Sequence, residues 1–229
     1  MSTLYLITAR GGSKRLPGKN TRILGDKSLL AYSIDIARKF SSDEDICLST
    51  DSTEIMSTAA ACNLKVPFLR PPALASDTAG SREVVLHALD FYKAKGIHYN
   101  KVILLQPTSP FRKGQQISDM LNLYSSSLDM VVSVKESYYS PYFSLFEEDT
   151  SGNLHTSKPG ISRQDSPNIY AYNGSVYVIN ANSLYKSNFD QFRNVRKYVM
   201  DEIHSIDIDT QFDWWIAEKI VEKSLWSGF

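Results

Sequence analysis

Short apolar runs alternate with longer amphipathic segments along most of the chain. The apolar runs have the length of β-strands and end at glycine, proline or polar residues; they lie at 3–9, 45–50, 101–106, 130–134 and 175–180. The longer segments repeat apolar residues at helical spacing and lie at 28–40, 81–96, 114–126 and 210–225. This alternation predicts a Rossmann-like α/β fold, with a mostly parallel sheet covered by helices on both faces.

Within the helical segments, the pattern also predicts which residues end each helix and which face the core. Ser81 is expected to cap the helix at 81–96 and Gly96 to terminate it. His87 falls inside the apolar pattern and is expected in the core or at its boundary. In the last helix the spacing predicts inward-facing side chains at Phe212, Trp215, Ile216 and Ile220.

The segment at about 135–175 interrupts this rhythm, because it is rich in aromatic residues, serine, proline and glycine and has no helical period. It predicts short antiparallel strands that form a lid or a dimerisation arm, since partners cover aromatic-rich patches. Its aromatic cluster is expected to serve packing and consists of Tyr138, Tyr139, Tyr142, Phe143 and Phe146. With no repeat and no linker, residues 1–229 are expected to form a single domain with this arm.

The composition is that of a globular protein and narrows the range of partners. Lysine and arginine total 25, as do aspartate and glutamate, so the chain lacks the basic excess of a nucleic-acid or membrane-surface binder. No apolar run approaches the roughly 18 residues of a membrane span, and the first residues do not resemble a signal peptide. We expect a cytoplasmic protein that binds neither nucleic acid nor membrane, with Cys47 and Cys62 as small buried apolar residues.

Candidate chemistry begins at ITARGGSKRLPGKN, residues 7–20, which follows the first predicted strand. Glycines let backbone N–H groups converge on an anion, and Arg10, Lys14, Arg15 and Lys19 add cations around the same turn. The spacing is neither GxGxxG nor that of a P-loop, because Asn20 replaces the required serine or threonine. The segment predicts a di- or triphosphate site, with a solvated turn as the alternative.

A second candidate site is IDID at 206–209. Residues two apart on extended backbone face the same side, so Asp207 and Asp209 can present two carboxylates to one Mg²⁺ ion. The alternative is that Asp209 only caps the helix that begins near Thr210. The motif taken with the phosphate loop leaves both interpretations open.

Segments spread across nearly the whole chain resemble the N-acylneuraminate cytidylyltransferases. In order, they are ARGGSKRLPGKN, STDS, RPPALASDTAGS with HAL, LLQPTSPFR, RQDSPNIYAYNGSVYVI and SIDIDTQFDWWIAE. The resemblance implies transfer of CMP from CTP to the anomeric hydroxyl of a nonulosonic (sialic-type) acid, with release of pyrophosphate. It also implies a nucleotide-diphosphosugar-transferase fold, Mg²⁺ dependence, and a homodimer whose arm reaches the neighbouring site.

The same resemblance implies roles for the matching residues. The residues that would hold the CTP phosphates and ribose are Arg10, Gly11, Gly12, Ser13, Lys14, Lys19 and Asn20. Those that would recognise cytosine are Arg70, Ala79 and Ser81, and those that would contact the sugar acid are Gln106, Arg163 and Tyr177. The metal ligands would be Asp207 and Asp209, which with Arg10 and Lys19 would carry the catalysis. The general base is not evident, and either aspartate or a metal-bound hydroxide is a candidate.

The match departs from the family pattern in two places. Thr8 stands where a proline commonly precedes AR, and Phe143 lies near where some members place a lysine toward the sugar. Synthetases for legionaminic acid, pseudaminic acid, Kdn or Kdo therefore remain alternatives, although the Kdo enzymes usually carry an acidic residue where this chain has QPTSP. Two further alternatives are a non-catalytic sensor of nucleotide or sugar acid and a uridylyl or guanylyl transferase.

Overall fold

The computed structural model describes residues 2–76, 79–156, 158, 162 and 164–226. Its strands are β1 (Thr3–Thr8), β2 (Ile23–Leu24), β3 (Lys27–Ser28), β4 (Ile46–Ser49), β5 (Lys101–Leu105), β6 (Met130–Glu136), β7 (Phe146–Glu148), β8 (Leu154–Thr156), β9 (Tyr170–Asn180) and β10 (Val195–Val199). Its α-helices are α1 (Leu29–Arg38), α2 (Thr53–Ala61), α3 (Ser81–Lys93), α4 (Gly114–Leu123), α5 (Ala181–Lys186) and α6 (Gln211–Glu222).

A six-stranded sheet in the order β10-β6-β9-β5-β1-β4 organises the molecule. The strands run parallel except β9, which pairs antiparallel with both β5 and β6. The mostly parallel sheet predicted from the sequence is thus confirmed. The carboxyl ends of β1, β4 and β5 share one edge, and the first half of β9 reaches the same edge from the opposite direction.

Helices cover both faces of the sheet, as predicted. Alternate residues of β1 show why: Tyr5 and Ile7 pack with α1, α2 and α4, whereas Leu4 and Leu6 pack with α3 and α5. The helix α6 lies elsewhere, because its Trp214 packs in a third cluster formed with the segment after β1 and the loop after β5. That packing joins the end of the chain to its beginning.

Five elements of the fold were not predicted: α2, α5, β10 and the two-residue strands β2 and β3. The helix α2 has the sequence TEIMSTAAA and buries only Ile55 and Ala59. Two buried positions are too few to produce a recognisable helical repeat of apolar residues. The edge strand β10 has the sequence VRKYV, in which charged residues interrupt the apolar ones.

The inward face predicted for α6 was partly wrong. Thr210 caps the helix and exchanges hydrogen bonds with Asp213, which fixes the start of the helix and turns Trp214 into the core. Phe212 and Trp215 are instead 67% and 52% exposed, and their rings stack on each other. The expected cap of α3 was also wrong, because Gly80 occupies the cap position and Ser81 begins the helix.

The segment at 135–175 contains the predicted short antiparallel strands, since β7 pairs with β8 as a hairpin. Its aromatic residues are not all packed, because Tyr138 and Tyr139 are exposed. Of the two cysteines, Cys47 is buried as expected, whereas Cys62 is partly exposed. Among the described residues, no helix is long and apolar enough to cross a membrane.

Candidate active site

A cleft of about 560 Å³ opens at the sheet edge where β1, β4 and β5 end. Its walls come from the loop after β1, the loop after β5 and the segment before α6. The lining residues are Thr8, Arg10, Ser13, Lys14, Arg15, Leu16, Lys19, Asn20, Gln106, Pro107, Thr108, Asp207 and Asp209. The fold therefore brings the phosphate loop, the QPTSP segment and the IDID segment, distant in sequence, into one cavity.

The loop after β1 is held against the loop after β4. The Gly11 amide donates a hydrogen bond to Asp51 Oδ1 at 2.9 Å, and a Cβ on Gly11 would lie 2.8 Å from the Ser52 Cβ. Only glycine allows this approach, because real Cβ atoms do not come so close. Asn20 is buried and donates through Nδ2 to the Arg10 carbonyl at 3.1 Å. Asp51, which was assigned no role in the sequence analysis, is thus an anchor for the loop.

Lys19 links this loop to the IDID segment. Its Nζ lies 2.6 Å from Asp209 Oδ1 and 3.1 Å from the Ile208 carbonyl oxygen, so one ammonium binds both a carboxylate and the backbone. The side chain of Lys19 is largely shielded from solvent, whereas that of Asp209 is half exposed to the cleft. A charge-assisted hydrogen bond of this kind is stronger than a neutral one.

Asp207 and Asp209 both face the cleft, as expected for residues two apart on extended backbone. Asp209 does not cap α6, because Thr210 does; this excludes the alternative role proposed for Asp209. Burial among the cleft walls raises the pKa of Asp207, and the charge of Asp209 adds to the rise, while a hydrogen bond from Thr108 opposes it. Two carboxylates that repel each other form a site to which a cation binds favourably.

The Gln106 and Asp207 side chains meet against the backbone of Gly174. Gly174 has φ +72°, and a Cβ there would lie 3.1 Å from Gln106 Oε1 and 3.2 Å from Asp207 Oδ2. A glycine is therefore required for two reasons, the left-handed backbone and the space for these polar groups. Tyr177 follows on the same strand; burial and the charge of Asp207 raise its pKa to about 12.

Arg112 supports the loop that carries Gln106 and Thr108. Its guanidinium is fully buried and donates to the carbonyl of Gln106 and, at 2.6 and 3.0 Å, to that of Ser109. Burial lowers its pKa to about 9, against the effect of the Asp207 charge, so the group stays cationic at neutral pH. Among the described residues, no carboxylate forms a salt bridge with Arg112.

A smaller pocket of about 250 Å³ adjoins the cleft and shares Thr8 and Arg10 with it. It contains all three residues expected to recognise cytosine: Arg70, Ala79 and Ser81. The Arg70 guanidinium is buried and anchored by Ser49, to which Nε donates at 2.9 Å. The cleft and the pocket together match the shape of a nucleotide, with an anionic part and a flat base.

Most of the expected site residues thus converge in the cleft or its side pocket, but three of the described ones line neither cavity. These are Gly11, Tyr177 and Gly12, which is exposed with open space around it. Arg163 lies outside the described residues. The structure adds Asp51, Thr108 and Arg112 as supporting residues, and Thr108 and Arg112 belong to LLQPTSPFR, a segment already singled out for Gln106.

Comparison with known proteins agrees with this geometry. The family model described as cytidylyltransferase matches residues 4–223. The chain is 37% identical to the CMP-N,N'-diacetyllegionaminic acid synthase of Legionella pneumophila, over 97% of each protein. It is 34% identical to the N-acylneuraminate cytidylyltransferase of Escherichia coli over 96% of this chain, which spans only 52% of that protein.

The fold agrees as well. A solved structure of CMP:2-keto-3-deoxy-manno-octonic acid synthetase complexed with CTP superposes with a TM-score of 0.70 at 14% identity, covering 98% of this chain and all of the other. A cytidylyltransferase structure from Leptospira borgpetersenii gives a TM-score of 0.62 at 18% identity, covering 100% of this chain and 90% of the other. The family resemblance predicted from the sequence is confirmed: this chain belongs to the cytidylyltransferase family.

Proposed function

We propose that this protein transfers CMP from CTP to the anomeric hydroxyl of a nonulosonic acid and releases pyrophosphate. The observation that supports this most is the contact of Lys19 with Asp209 in a cleft that also contains Arg10 and Lys14. Cations on one wall and carboxylates on the other suit a triphosphate and a metal ion bound side by side.

The residues of the cleft have complementary tasks in this proposal. Arg10, Lys14 and Lys19 bind the triphosphate and stabilise the charge that develops on the departing pyrophosphate. The cytosine enters the side pocket, where Arg70 is held rigid by Ser49. The sugar acid lies near Gln106, so its hydroxyl is held close to the α-phosphate.

The carboxylates fit a divalent cation. Asp207 and Asp209 face the same cleft, and the raised pKa of Asp207 reflects burial and a like charge that a cation would offset. Among the described residues, no cluster of three or more metal-ligating side chains exists, which agrees with Mg²⁺ because this ion usually keeps several water and phosphate ligands. When bound, Mg²⁺ would neutralise phosphate charge; the two aspartates would hold it.

The sugar acid is a nonulosonic acid of the sialic type. The identity with the Legionella protein, over nearly the whole length of both chains, favours N,N'-diacetyllegionaminic acid as a second candidate within the same class. Gln106, which lines the cleft, is proposed to contact the acid, and Tyr177 and Arg163 are proposed from the sequence alone.

We further propose a homodimer formed through the segment at 135–175. Tyr138 and Leu154 are 79% and 66% exposed, which is unusual for such side chains in an isolated subunit. A cavity of about 830 Å³ runs from Tyr138 and Tyr139 to Asp207, so a partner seated there would approach the cleft. Sedimentation velocity tests the dimer.

We also propose that the protein is cytoplasmic, because the free thiols of Cys47 and Cys62 suit that reducing compartment.

Pyrophosphate release tests the function directly. The protein, CTP and Mg²⁺ are combined with a panel of nonulosonic acids that includes N-acetylneuraminic and N,N'-diacetyllegionaminic acid. We expect release with at least one acid, with CTP far above UTP and GTP. Tight CTP binding without turnover of any acid would favour the sensor, and equal use of UTP would favour the uridylyl transferase.

The metal assignment needs its own test. Asp209→Asn removes one carboxylate charge at similar volume and should weaken Mn²⁺ binding, measured by electron paramagnetic resonance in the presence of CTP. Asp51→Asn is a control, because Asp51 touches the phosphate loop but lies outside the cleft lining. Unchanged Mn²⁺ affinity in Asp209→Asn would refute the assignment.

A further inference from the structure

Thr8 is the last residue of β1 and lies where the cleft and the side pocket meet. It lines both cavities, a property that it shares only with Arg10 among the residues lining the two cavities. Its backbone is fixed by the sheet, because Thr8 pairs in parallel register with Ser49 of β4. A side chain at this point has a well-defined position, since its strand is held by neighbours on both sides.

The Thr8 side chain is partly exposed to these cavities. Among the described residues, none forms a hydrogen bond with its hydroxyl. Two neighbouring hydroxyl groups on β4 and just after it do have such partners: Ser49 Oγ accepts from Arg70, and Thr50 Oγ1 accepts from the Ser52 amide. The hydroxyl of Thr8 therefore has an unused donor and acceptor at the junction of the two cavities.

The shape of a nucleotide decides what occupies that junction. If the triphosphate lies among the cations of the cleft and the base lies beside Arg70, the ribose must pass between them. The junction is defined by the residues common to the cleft and the pocket, Thr8 and Arg10. Arg10 is cationic and suits phosphate, whereas a hydroxyl suits the 2′- and 3′-hydroxyls of a ribose.

We propose that Thr8 is a specificity-determining residue whose hydroxyl forms a hydrogen bond with a ribose hydroxyl of the bound nucleotide. The proposal rests on the function given above, because it requires CTP in this cleft. It gives the chain a means of preferring ribonucleotides over deoxyribonucleotides. It also assigns a task to a residue that departs from the proline expected at this position.

Three nucleotides compared on matched variants test the proposal. For wild type, Thr8→Val and Thr8→Ser, kcat/KM is measured with CTP, 2′-deoxy-CTP and 3′-deoxy-CTP, and dissociation constants are measured by calorimetry. Valine keeps the volume and suits the strand, and serine keeps the hydroxyl. Thr3→Val, at the other end of β1 and outside both cavities, is the control.

We expect Thr8→Val to lose about 3- to 10-fold with CTP, as for one hydrogen bond, and to lose little with the deoxynucleotide that lacks the contacted hydroxyl. The nucleotide that shows no loss identifies whether the 2′- or the 3′-hydroxyl is bound. Thr8→Ser should keep most of the discrimination, and Thr3→Val should keep all of it.

Equal losses with all three nucleotides in Thr8→Val, or no loss with any, would overturn the proposal. The calorimetric measurements distinguish a wrong role for Thr8 from a wrong proposed function. If CTP binds the wild-type protein but no turnover occurs, the role of Thr8 is decided by the dissociation constants of the three nucleotides, compared between wild type and Thr8→Val. CTP that does not bind overturns both proposals.

Discussion

The Lys19 ammonium lies 2.6 Å from the Asp209 carboxylate across 190 residues of sequence, so the first loop of the chain is tied to the segment before the last helix. Because Lys19 also binds the Ile208 carbonyl, its position does not depend on Asp209 alone. The cation would stay in place if the carboxylate turned toward a metal ion. Charges fixed before the substrate arrives are those that stabilise a transition state most effectively.

Replacing this cation should strongly lower turnover without unfolding the protein. We expect Lys19→Met to lower kcat/KM for CTP on the order of 100-fold or more, as when a preorganised contact is lost. Lys27→Met is the matched control, because Lys27 and Asp35 form an ion pair of the same 2.6 Å length outside the cleft. Pyrophosphate release and thermal unfolding are measured on both. Similar activity in the two variants would contradict the role of Lys19.

Gly174→Ala should impair the site through the new Cβ. The methyl group would press on Gln106 Oε1 and Asp207 Oδ2, so we expect activity to fall at least about 10-fold. Gly96→Ala isolates the backbone effect, because Gly96 has φ +78° but open space around it. Both variants should lose about 1–2 kcal/mol of unfolding free energy from the left-handed conformation. An active Gly174→Ala protein would show that the two polar groups move aside freely.

Arg112→Met should damage both stability and the use of the sugar acid. It leaves the buried carbonyls of Gln106 and Ser109 without a donor, which should cost about 2–5 kcal/mol of unfolding free energy, measured by urea denaturation. The displaced Gln106 should raise KM for the sugar acid on the order of 10-fold, and KM for CTP less.

Two further variants distinguish the positioning of Gln106 by Arg112 from a general loss of stability. Arg112→Lys keeps the charge but lacks the planar fork, so KM for the acid should fall between those of wild type and Arg112→Met. Arg82→Met removes a guanidinium that donates to the carbonyls of Leu184 and Ser187 and lines neither the cleft nor the side pocket, so it should lower stability alone. A rise in KM for the acid in Arg82→Met would contradict the proposed role of Arg112.

Acid stability should depend on Asp129, which joins β6 to the segments around α5 and β10. Ser183 donates to Asp129 Oδ1 at 2.6 Å, and the Arg193 and Asn194 amides donate to Oδ2. These bonds lower the pKa of Asp129 in the folded state. A lowered pKa means that the carboxylate stabilises the fold above its unfolded pKa of about 3.9 and that this stabilisation is lost as pH falls through the folded value.

The contribution of the Asp129 carboxylate to stability is checked by measuring the free energy of unfolding as a function of pH. Asp129→Asn should be less stable than wild type at pH 7, and the difference should shrink as pH falls below about 4. Asp190→Asn changes an exposed aspartate and should leave the curve unchanged. A constant difference between Asp129→Asn and wild type from pH 7 to pH 3 would contradict the assignment.

Much of the fold and site followed from local patterns in the sequence. Strands such as β1 and β5 bury both faces and read as continuous apolar runs, so their parallel arrangement was predictable. The candidate site residues in the cleft could be proposed because glycine, lysine and paired aspartates have distinct chemistry at distinct strand ends. Family motifs then added Arg70 and Gln106, whose individual patterns say little.

The errors came from contacts that only the folded chain defines. Two adjacent tryptophans fit the period of α6 about equally well, and the capping pair of Thr210 and Asp213 decides which of them turns inward. The antiparallel direction of β9 could not be predicted, because no pattern in the sequence of this strand distinguishes it from a parallel strand. The support that Arg112 gives to Gln106 depends on a buried loop conformation, which no spacing reveals.

The reversal of β9 has a consequence for how such a protein can change its substrate. Glu136 at the end of β6 pairs with Tyr170 at the start of β9, so the intervening arm leaves the sheet and returns to it at one point. Insertions or deletions there alter no pairing within the six-stranded sheet, and a longer loop costs little extra closure entropy. The arm can therefore diverge quickly beside the cleft, while the sheet that carries the loops proposed to bind the nucleotide stays unchanged.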